Sequence, residues 1–224
     1  ETHPLWEYLP WIRDAAHFLP DSGWLERLHK ESPKGPTEQF FSAIRRQVIS
    51  RCDYPNSPYD LECTVLPLND DVEQLARVLT TDLKTLFIRV NDLRQDILQL
   101  QKEDDAALKR QITSFTRSLQ NRILEPLRAW IELISRLHAP SPETVVDWFG
   151  VSRFNGRDND VGIWRHLLDP MQAFVEMTKD KTKSVILTSA TLKPSQGDQE
   201  NNWKQAERLL GGETLRQNGL QPLR

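Results

Sequence analysis

This chain of 224 residues contains a pair of apolar heptad seams separated by a short polar break. The first seam steps alternately by three and four residues, through Ala76, Leu79, Leu83, Leu86, Val90, Leu93, Ile97 and Leu100. The second runs through Leu108, Ile112, Phe115, Leu119 and Ile123, and continues through Leu127, Trp130, Ile134 and Leu137. Apolar residues at this spacing line one face of a helix that packs against another helix.

The two seams predict a long antiparallel helical hairpin over about residues 70–138. The break at residues 101–105 is polar and suits the turn between the arms. An arm of about 25 to 30 residues is roughly 40 Å long at 1.5 Å per residue, so the hairpin projects from, or lies along, the body that carries it. Pro126 should bend the returning arm, because proline removes a backbone hydrogen bond and crowds the preceding turn.

The segments around the hairpin predict a mainly α fold with a small β part. Helices are expected over residues 5–18, from an N-cap at Thr37, and over residues 170–178 and 203–210. Short extended pieces are expected at residues 61–66, 145–149, 153–154 and 161–166, with Asn155-Gly156 as a hairpin turn. Residues 184–187 suit a strand buried on both faces. We expect a helical region over residues 1–140 and a β-containing region over residues 141–224.

Composition limits the classes of function. The net charge is −3 with 27% charged residues, so any contact with nucleic acid must be local. Cys52 and Cys63 lie outside any CxxC arrangement, which argues against a zinc or iron-sulfur site. No charged-then-apolar leader opens the chain, and no apolar run approaches the roughly 20 residues that span a bilayer. These features predict a monomeric cytoplasmic protein without a membrane partner, and the chain ends are expected to be cuts in a longer polypeptide.

The segment from Ser184 to Leu192 reads Ser-Val-Ile-Leu-Thr-Ser-Ala-Thr-Leu. It resembles motif III of superfamily 2 helicases, where an apolar strand of the first RecA-like domain ends in Ser-Ala-Thr. A long helical insertion directly before this strand is similar to the arch domain of DinG-type and XPD-type helicases. Residues 23–28, 35–48 and 155–170 also resemble DinG-family sequence.

This resemblance implies an ATP-dependent 5′-to-3′ DNA helicase whose arch frames the path of the single strand beside an incomplete RecA-like α/β domain. Its partners would be single-stranded DNA and the remaining motor domains of the same polypeptide. Thr188, Ser189, Ala190 and Thr191 would couple the two motors. The whole enzyme would use ATP and Mg²⁺, and an iron-sulfur cluster would lie outside this chain. Because no GxxxxGK[ST] phosphate loop is present, this chain alone is not expected to hydrolyse ATP.

One β-rich stretch combines the basic and aromatic side chains that hold single strands. The candidate residues for DNA contact are Arg153, Phe154, Arg157, Trp164, Arg165 and His166. In the alternative interpretation, the aromatic residues are core and the arginines form a solvated edge. Arg45, Arg46 and Arg51 on one helix are open to the same two interpretations.

Two further functions compete with the helicase. A free-standing adaptor would use the helical hairpin to bind a protein partner, and the Thr-Ser-Ala-Thr segment would be coincidental. A DNA-binding module without a motor is disfavoured by the mildly acidic balance. The first two differ in residues 184–187, which should lack sheet neighbours in a helicase fragment and form a satisfied strand in an adaptor.

Overall fold

The computed structural model describes residues 4–28, 31–100, 106–178, 181–182, 185–186, 188, 199–212 and 216. Helices dominate it, and they accompany one three-stranded antiparallel sheet in the order β1-β2-β3. The predicted mainly α fold with a small β part is confirmed. Internal contacts define two units, one of residues 1–141 and 147–165 and the other of residues 142–146 and 166–224. Within the described ranges, no helix is both long enough and apolar enough to cross a membrane.

The first unit begins with three helices. A 3-10 turn (Pro4–Glu7) leads into α1 (Tyr8–Ala15), and α2 (Trp24–Arg27) and α3 (Gly35–Arg51) follow. The predicted N-cap at Thr37 is wrong, since α3 begins two residues earlier and Thr37 is buried inside its first turn. Proline is tolerated in a first helical turn, which explains why Pro36 does not delay the start. The Glu38 carboxylate accepts the Lys34 backbone N–H at 2.7 Å.

The predicted helical hairpin is present. Its outgoing arm is α4 (Asp70–Gln99). Its returning arm consists of α5 (Ala106–Leu119), a π-helical turn (Gln120–Leu124) and α6 (Glu125–Ser135). Arms α4 and α6 pack together, and the α4 seam residues from Ala76 to Ile97 are buried as expected.

The returning seam differs from the prediction at three positions. Phe115, Ile123 and Trp130 are 49%, 37% and 49% exposed instead of buried. The residues that face the core are Ile112, Thr116, Leu119, Leu124, Leu127, Ile134 and Leu137. The step of five from Leu119 to Leu124 coincides with the π-helical turn, which shifts the phase of the helix. Pro126 follows this turn and has no N–H for the usual hydrogen bond to the carbonyl four residues back. The irregularity expected at Pro126 is therefore the π-helical turn.

The sheet consists of β1 (Leu61–Thr64), β2 (Val145–Phe154) and β3 (Arg157–Leu167). Strands β1 and β2 are antiparallel, with Leu61 opposite Val151. The two extended pieces predicted at 145–149 and 153–154 form one continuous strand. Asn155 and Gly156 have φ values of 51° and 75°, as a tight hairpin turn between twisted strands requires.

The hairpin of β2 and β3 packs with the helices of the first unit. Phe149, Val151 and Val161 are buried in the same core as residues of α3 and α4. Residues 147–165 therefore share a compact unit with the helical region, although the sequence boundary was expected near residue 140.

The second unit contains α7 (Pro170–Thr178) and α8 (Gln199–Leu209). Helix α7 matches the predicted range, and α8 begins four residues before the predicted one. Val185 and Ile186 are 40% and 85% exposed and belong to no strand, so the predicted buried strand is wrong at these residues. A strand buried on both faces needs neighbouring strands and covering helices. Ser184 and Leu187 lie outside the described residues.

Gln47 joins α3 to the segment between β1 and α4. Its side chain is fully buried. Its amide nitrogen donates to the Val65 carbonyl at 2.9 Å, and its amide oxygen accepts the Asn69 N–H at 2.9 Å. One amide thus satisfies a donor and an acceptor of the segment that leads into the hairpin.

Replacing Gln47 by leucine should lower the free energy of unfolding by about 1–3 kcal/mol, because the Val65 carbonyl loses its partner in a buried site. Urea denaturation measures the change. The matched control is Gln111→Leu on the exposed side of α5, which should leave stability almost unchanged. Equal effects of the two substitutions would contradict the role assigned to Gln47.

Candidate nucleic-acid interface

The turn between β2 and β3 presents an aromatic and a cationic side chain. Phe154 and Arg157 flank the two-residue turn, and both are exposed. The Phe154 side chain is 72% exposed, so the interpretation of Phe154 as a core residue is wrong. Arg157 forms no ion pair with any residue that the structure describes. These two predicted DNA-contact residues are therefore free to meet a ligand.

The segment of residues 53–60 lies against this turn. The Arg153 guanidinium Nη1 donates to the Pro55 and Ser57 carbonyls, each at 2.7 Å. The Arg153 backbone N–H donates to the Asp60 carboxylate at 2.6 Å. The Pro58 Cα lies 3.9 Å from the position that a Cβ on Gly156 would occupy. The segment is therefore fixed to the end of the β2–β3 hairpin.

This segment brings two further aromatic residues to the same end of the sheet. Tyr54 and Tyr59 are 80% and 78% exposed, and neither forms a ring contact with another described residue. Together with Phe154 they form what we call the aromatic tip. Neither tyrosine was predicted as a contact residue, although the two flank two prolines in Asp-Tyr-Pro-Asn-Ser-Pro-Tyr-Asp. A proline-fixed segment holding two aromatic residues was the signal available.

A buried carboxylate between two arginines holds the aromatic tip in place. Asp158 accepts from Arg153 Nε at 2.7 Å and from Arg45 Nε at 2.5 Å. The side chains of Arg153 and Asp158 are 7% and 6% exposed. Burial raises the pKa of Asp158, but hydrogen bonds and charge from Arg153 and Arg45 outweigh it, so the pKa lies below its usual value. The carboxylate is ionised at neutral pH and connects α3, β2 and β3.

The Trp164 ring lies against Gly150 of β2 and Gly162 of β3. A Cβ added to Gly150 or Gly162 would come within 2.9 Å and 3.0 Å of its ring. The ring also stacks on Trp148, with centroids 6.4 Å apart and planes inclined by 14°. Glycine at both positions makes this close approach possible. Trp164 is thus a packing residue of the sheet surface with one partly exposed ring.

Arg165 and Arg153 are both occupied by structural contacts. Arg165 forms two hydrogen bonds with Asp147, at 2.6 Å and 2.7 Å. The hydrogen bond from Arg165 lowers the pKa of Asp147 despite partial burial. Arg153 is buried between Asp158 and the 53–60 segment. His166, the last predicted contact residue, is exposed near the end of β3.

The arginines of α3 also make contacts within the protein. Arg46 pairs with Asp71 at 2.5 Å, and Arg51 donates to the Thr64 carbonyl at 3.0 Å and to the Pro67 carbonyl. With Arg45 bound to Asp158, each of the three joins α3 to another segment. They are better described as structural links than as a solvated face.

The predicted coupling motif is described only at its first residue. Thr188 is exposed and lies outside regular secondary structure. Ser189, Ala190 and Thr191 lie outside the described residues. Within the described part of the chain, no group of three His, Cys, Asp or Glu side chains is arranged to hold a metal ion.

Comparison with known proteins returned no relatives: no protein-family model, curated protein or solved structure matches the chain.

The Asp158 network should make stability depend on acid pH. Since the folded pKa of Asp158 lies below the usual 3.8, its stabilising contribution is present above about pH 4 and is lost as pH falls through the folded value. At neutral pH, Asp158→Asn should lower the free energy of unfolding by about 3 kcal/mol, because two arginines lose their buried counter-charge. Urea denaturation at several pH values measures both effects.

The matched control is Asp53→Asn, at an exposed carboxylate of the adjoining segment. It should leave stability at neutral pH nearly unchanged. The difference in free energy of unfolding between wild type and Asp158→Asn should become smaller below about pH 4, because the wild-type carboxylate takes up a proton. A difference that stays constant down to low pH would contradict the charged state assigned to Asp158.

Proposed function

We propose that this chain is part of an ATP-dependent DNA helicase of the DinG type, in which it holds single-stranded DNA beside the motor domains. The observation that carries the proposal is the aromatic tip of Tyr54, Tyr59 and Phe154. Single strands bind to exposed aromatic rings because every base offers a flat face for stacking. Arg157 adds a cation for a phosphate next to Phe154.

The construction of the tip supports a binding role. Its three rings are 72–80% exposed, so they contribute little to the core. The backbone beneath them is nevertheless fixed by the buried Arg153–Asp158 pair and by hydrogen bonds to Pro55 and Ser57. A rigid support lowers the ordering cost of binding, which is the advantage of a preorganised site. Solvent-exposed rings on a rigid backbone suit a ligand with stacked flat groups.

The order of elements supports the helicase assignment. The long hairpin from α4 to α6 precedes the β2–β3 hairpin and the segment that resembles motif III. Val185 and Ile186 are exposed outside any strand, and such β-branched residues favour a sheet. In the proposed enzyme, strands of the RecA-like domain would cover them. Thr188, Ser189, Ala190 and Thr191 would then couple two motor domains that supply ATP and Mg²⁺, and this chain alone would not hydrolyse ATP.

A free-standing protein adaptor is the second candidate function. Its support is the exposure of Trp6 and Leu9, which are 65% and 52% exposed around the start of α1. Exposed apolar side chains beside one another favour a protein contact. An adaptor of this kind needs no affinity for DNA.

The chain should bind an oligodeoxythymidylate at low salt, and loss of ring stacking should weaken binding. Each of Tyr54→Ala, Tyr59→Ala and Phe154→Ala should raise Kd by about fivefold or more, since stacking on one base contributes about 1–3 kcal/mol. Fluorescence anisotropy with a labelled oligonucleotide measures Kd. Circular dichroism confirms that each variant is folded.

The matched control is Trp6→Ala, which removes an exposed aromatic ring far along the sequence from the tip. Its Kd should equal that of the wild type. No binding by the wild type even at low salt would overturn the DNA-holding function and favour the adaptor. Binding that is insensitive to all three tip substitutions would show that the rings are not the contact.

A further inference from the structure

The two arms of the helical hairpin carry very different charge. Helix α4 contains six carboxylates and four cations, at Asp70, Asp71, Glu73, Asp82, Asp92 and Asp96, and at Arg77, Lys84, Arg89 and Arg94. From Ala106 to Leu124, the returning arm contains Lys109, Arg110, Arg117 and Arg122 and has no carboxylate in its sequence. In a chain with a net charge of −3, this concentration of cations is local to one arm.

Three of these cations share one exposed face of α5. Lys109, Arg110 and Arg117 lie with Thr113 and Ser114 around one shallow depression, and all five side chains are exposed. Spacings of three, four, seven and eight residues bring these positions to the same side of a helix. The opposite side carries Ile112, Thr116 and Leu119 into the core. We call the five outward residues the α5 stripe.

The cations of the α5 stripe have no acidic partner among the residues that the structure describes. None of Lys109, Arg110 and Arg117 forms an ion pair with a carboxylate in the described residues. By contrast, the exposed cations Arg77, Arg128 and Arg136 pair with Glu73, Glu125 and Glu132 on their own helices. Like charges so close together repel when no anion is bound, which is a small cost to the helix. A bound polyanion removes that repulsion.

We infer that the α5 stripe binds the phosphate backbone of single-stranded DNA, an inference that rests on the proposed function. The aromatic tip supplies ring faces for the bases but little positive charge for the phosphates. Across residues 53–60 and 153–160, the cation with an exposed side chain is Arg157. Stacking alone leaves the phosphates of the strand without counter-charge. The stripe offers three cations over about 12 Å of helix, which is long enough for more than one phosphate. The Ser114 hydroxyl can donate a further hydrogen bond to a phosphate oxygen.

The test replaces the three stripe cations with glutamine and measures the salt dependence of oligodeoxythymidylate binding. Each phosphate neutralised on a single strand contributes about −0.7 to the slope of log K against log salt. In the variant Lys109→Gln, Arg110→Gln, Arg117→Gln, the slope should become less negative by about 2. The same variant should bind the oligonucleotide about tenfold more weakly at low salt. The matched control is Arg77→Gln, Lys84→Gln, Arg136→Gln, which removes the same charge from other exposed sites and should keep the wild-type slope.

The outcomes separate this inference from the proposed function. An unchanged slope in the stripe variant, with DNA binding still sensitive to the aromatic tip, would overturn the stripe and leave the function standing. An equal loss in stripe and control variants would also overturn it, since the effect would then follow net charge alone. If the stripe cations served an anionic lipid surface instead, the wild type would bind phosphatidylserine vesicles through them while its DNA slope stayed unchanged in the variant.

Discussion

The ion pairs of Asp158 are the interaction on which the candidate interface depends. The buried Asp158 carboxylate on β3 accepts hydrogen bonds from Arg45 of α3 and from Arg153 of β2. Arg153 then extends past Asp158 to the Pro55 and Ser57 carbonyls. A buried charge is costly unless it is paired and hydrogen-bonded, so this network specifies one arrangement of helix, hairpin and segment. The buried Arg153–Asp158 pair therefore fixes the backbone that positions the exposed rings of the aromatic tip.

The helical hairpin shows a second constraint, which comes from a single proline. Pro126 cannot donate the hydrogen bond that would continue a regular α-helix, and the π-helical turn from Gln120 to Leu124 absorbs the defect. The extra residue in that turn brings Leu124 into the apolar seam where the sequence spacing predicted Ile123. Leu124 faces the core while Ile123 is partly exposed. The cations on the outward side of α5 belong to the turns before this shift, so they keep a regular helical spacing.

Much of the fold could be predicted from residue spacing, because helices that pack together carry apolar residues at every third or fourth position of the sequence. The α4 seam from Ala76 to Ile97 was predicted residue by residue, and Asn155-Gly156 located the hairpin turn. The returning seam was misassigned at Ile123, since a π-helical turn leaves no distinct pattern in sequence. Phe115 and Trp130 were also misassigned, but both lie outside that turn. The strand expected at Val185 and Ile186 was inferred from local preference and from the resemblance to motif III, and a strand needs neighbours that neither provides.

The candidate site was harder to predict, because the partners of a charged side chain lie far away in the sequence. Arg153 and Arg165 were selected for their charge, but Asp158 and Asp147 bind them. Phe154 and Arg157 remain exposed beside the turn. Tyr54 and Tyr59 join them through contacts about 100 residues apart along the chain, which no local pattern records.

Photocrosslinking of this chain to an oligodeoxythymidylate containing 5-iodouracil, followed by mass spectrometry of the crosslinked peptides, would identify the side chains that contact the bases. We expect crosslinks at Tyr54, Tyr59 or Phe154, because these rings should stack on the bases. Crosslinks confined to other parts of the chain, or none under conditions where the oligonucleotide is bound, would contradict the assignment of the aromatic tip as the surface that holds single-stranded DNA.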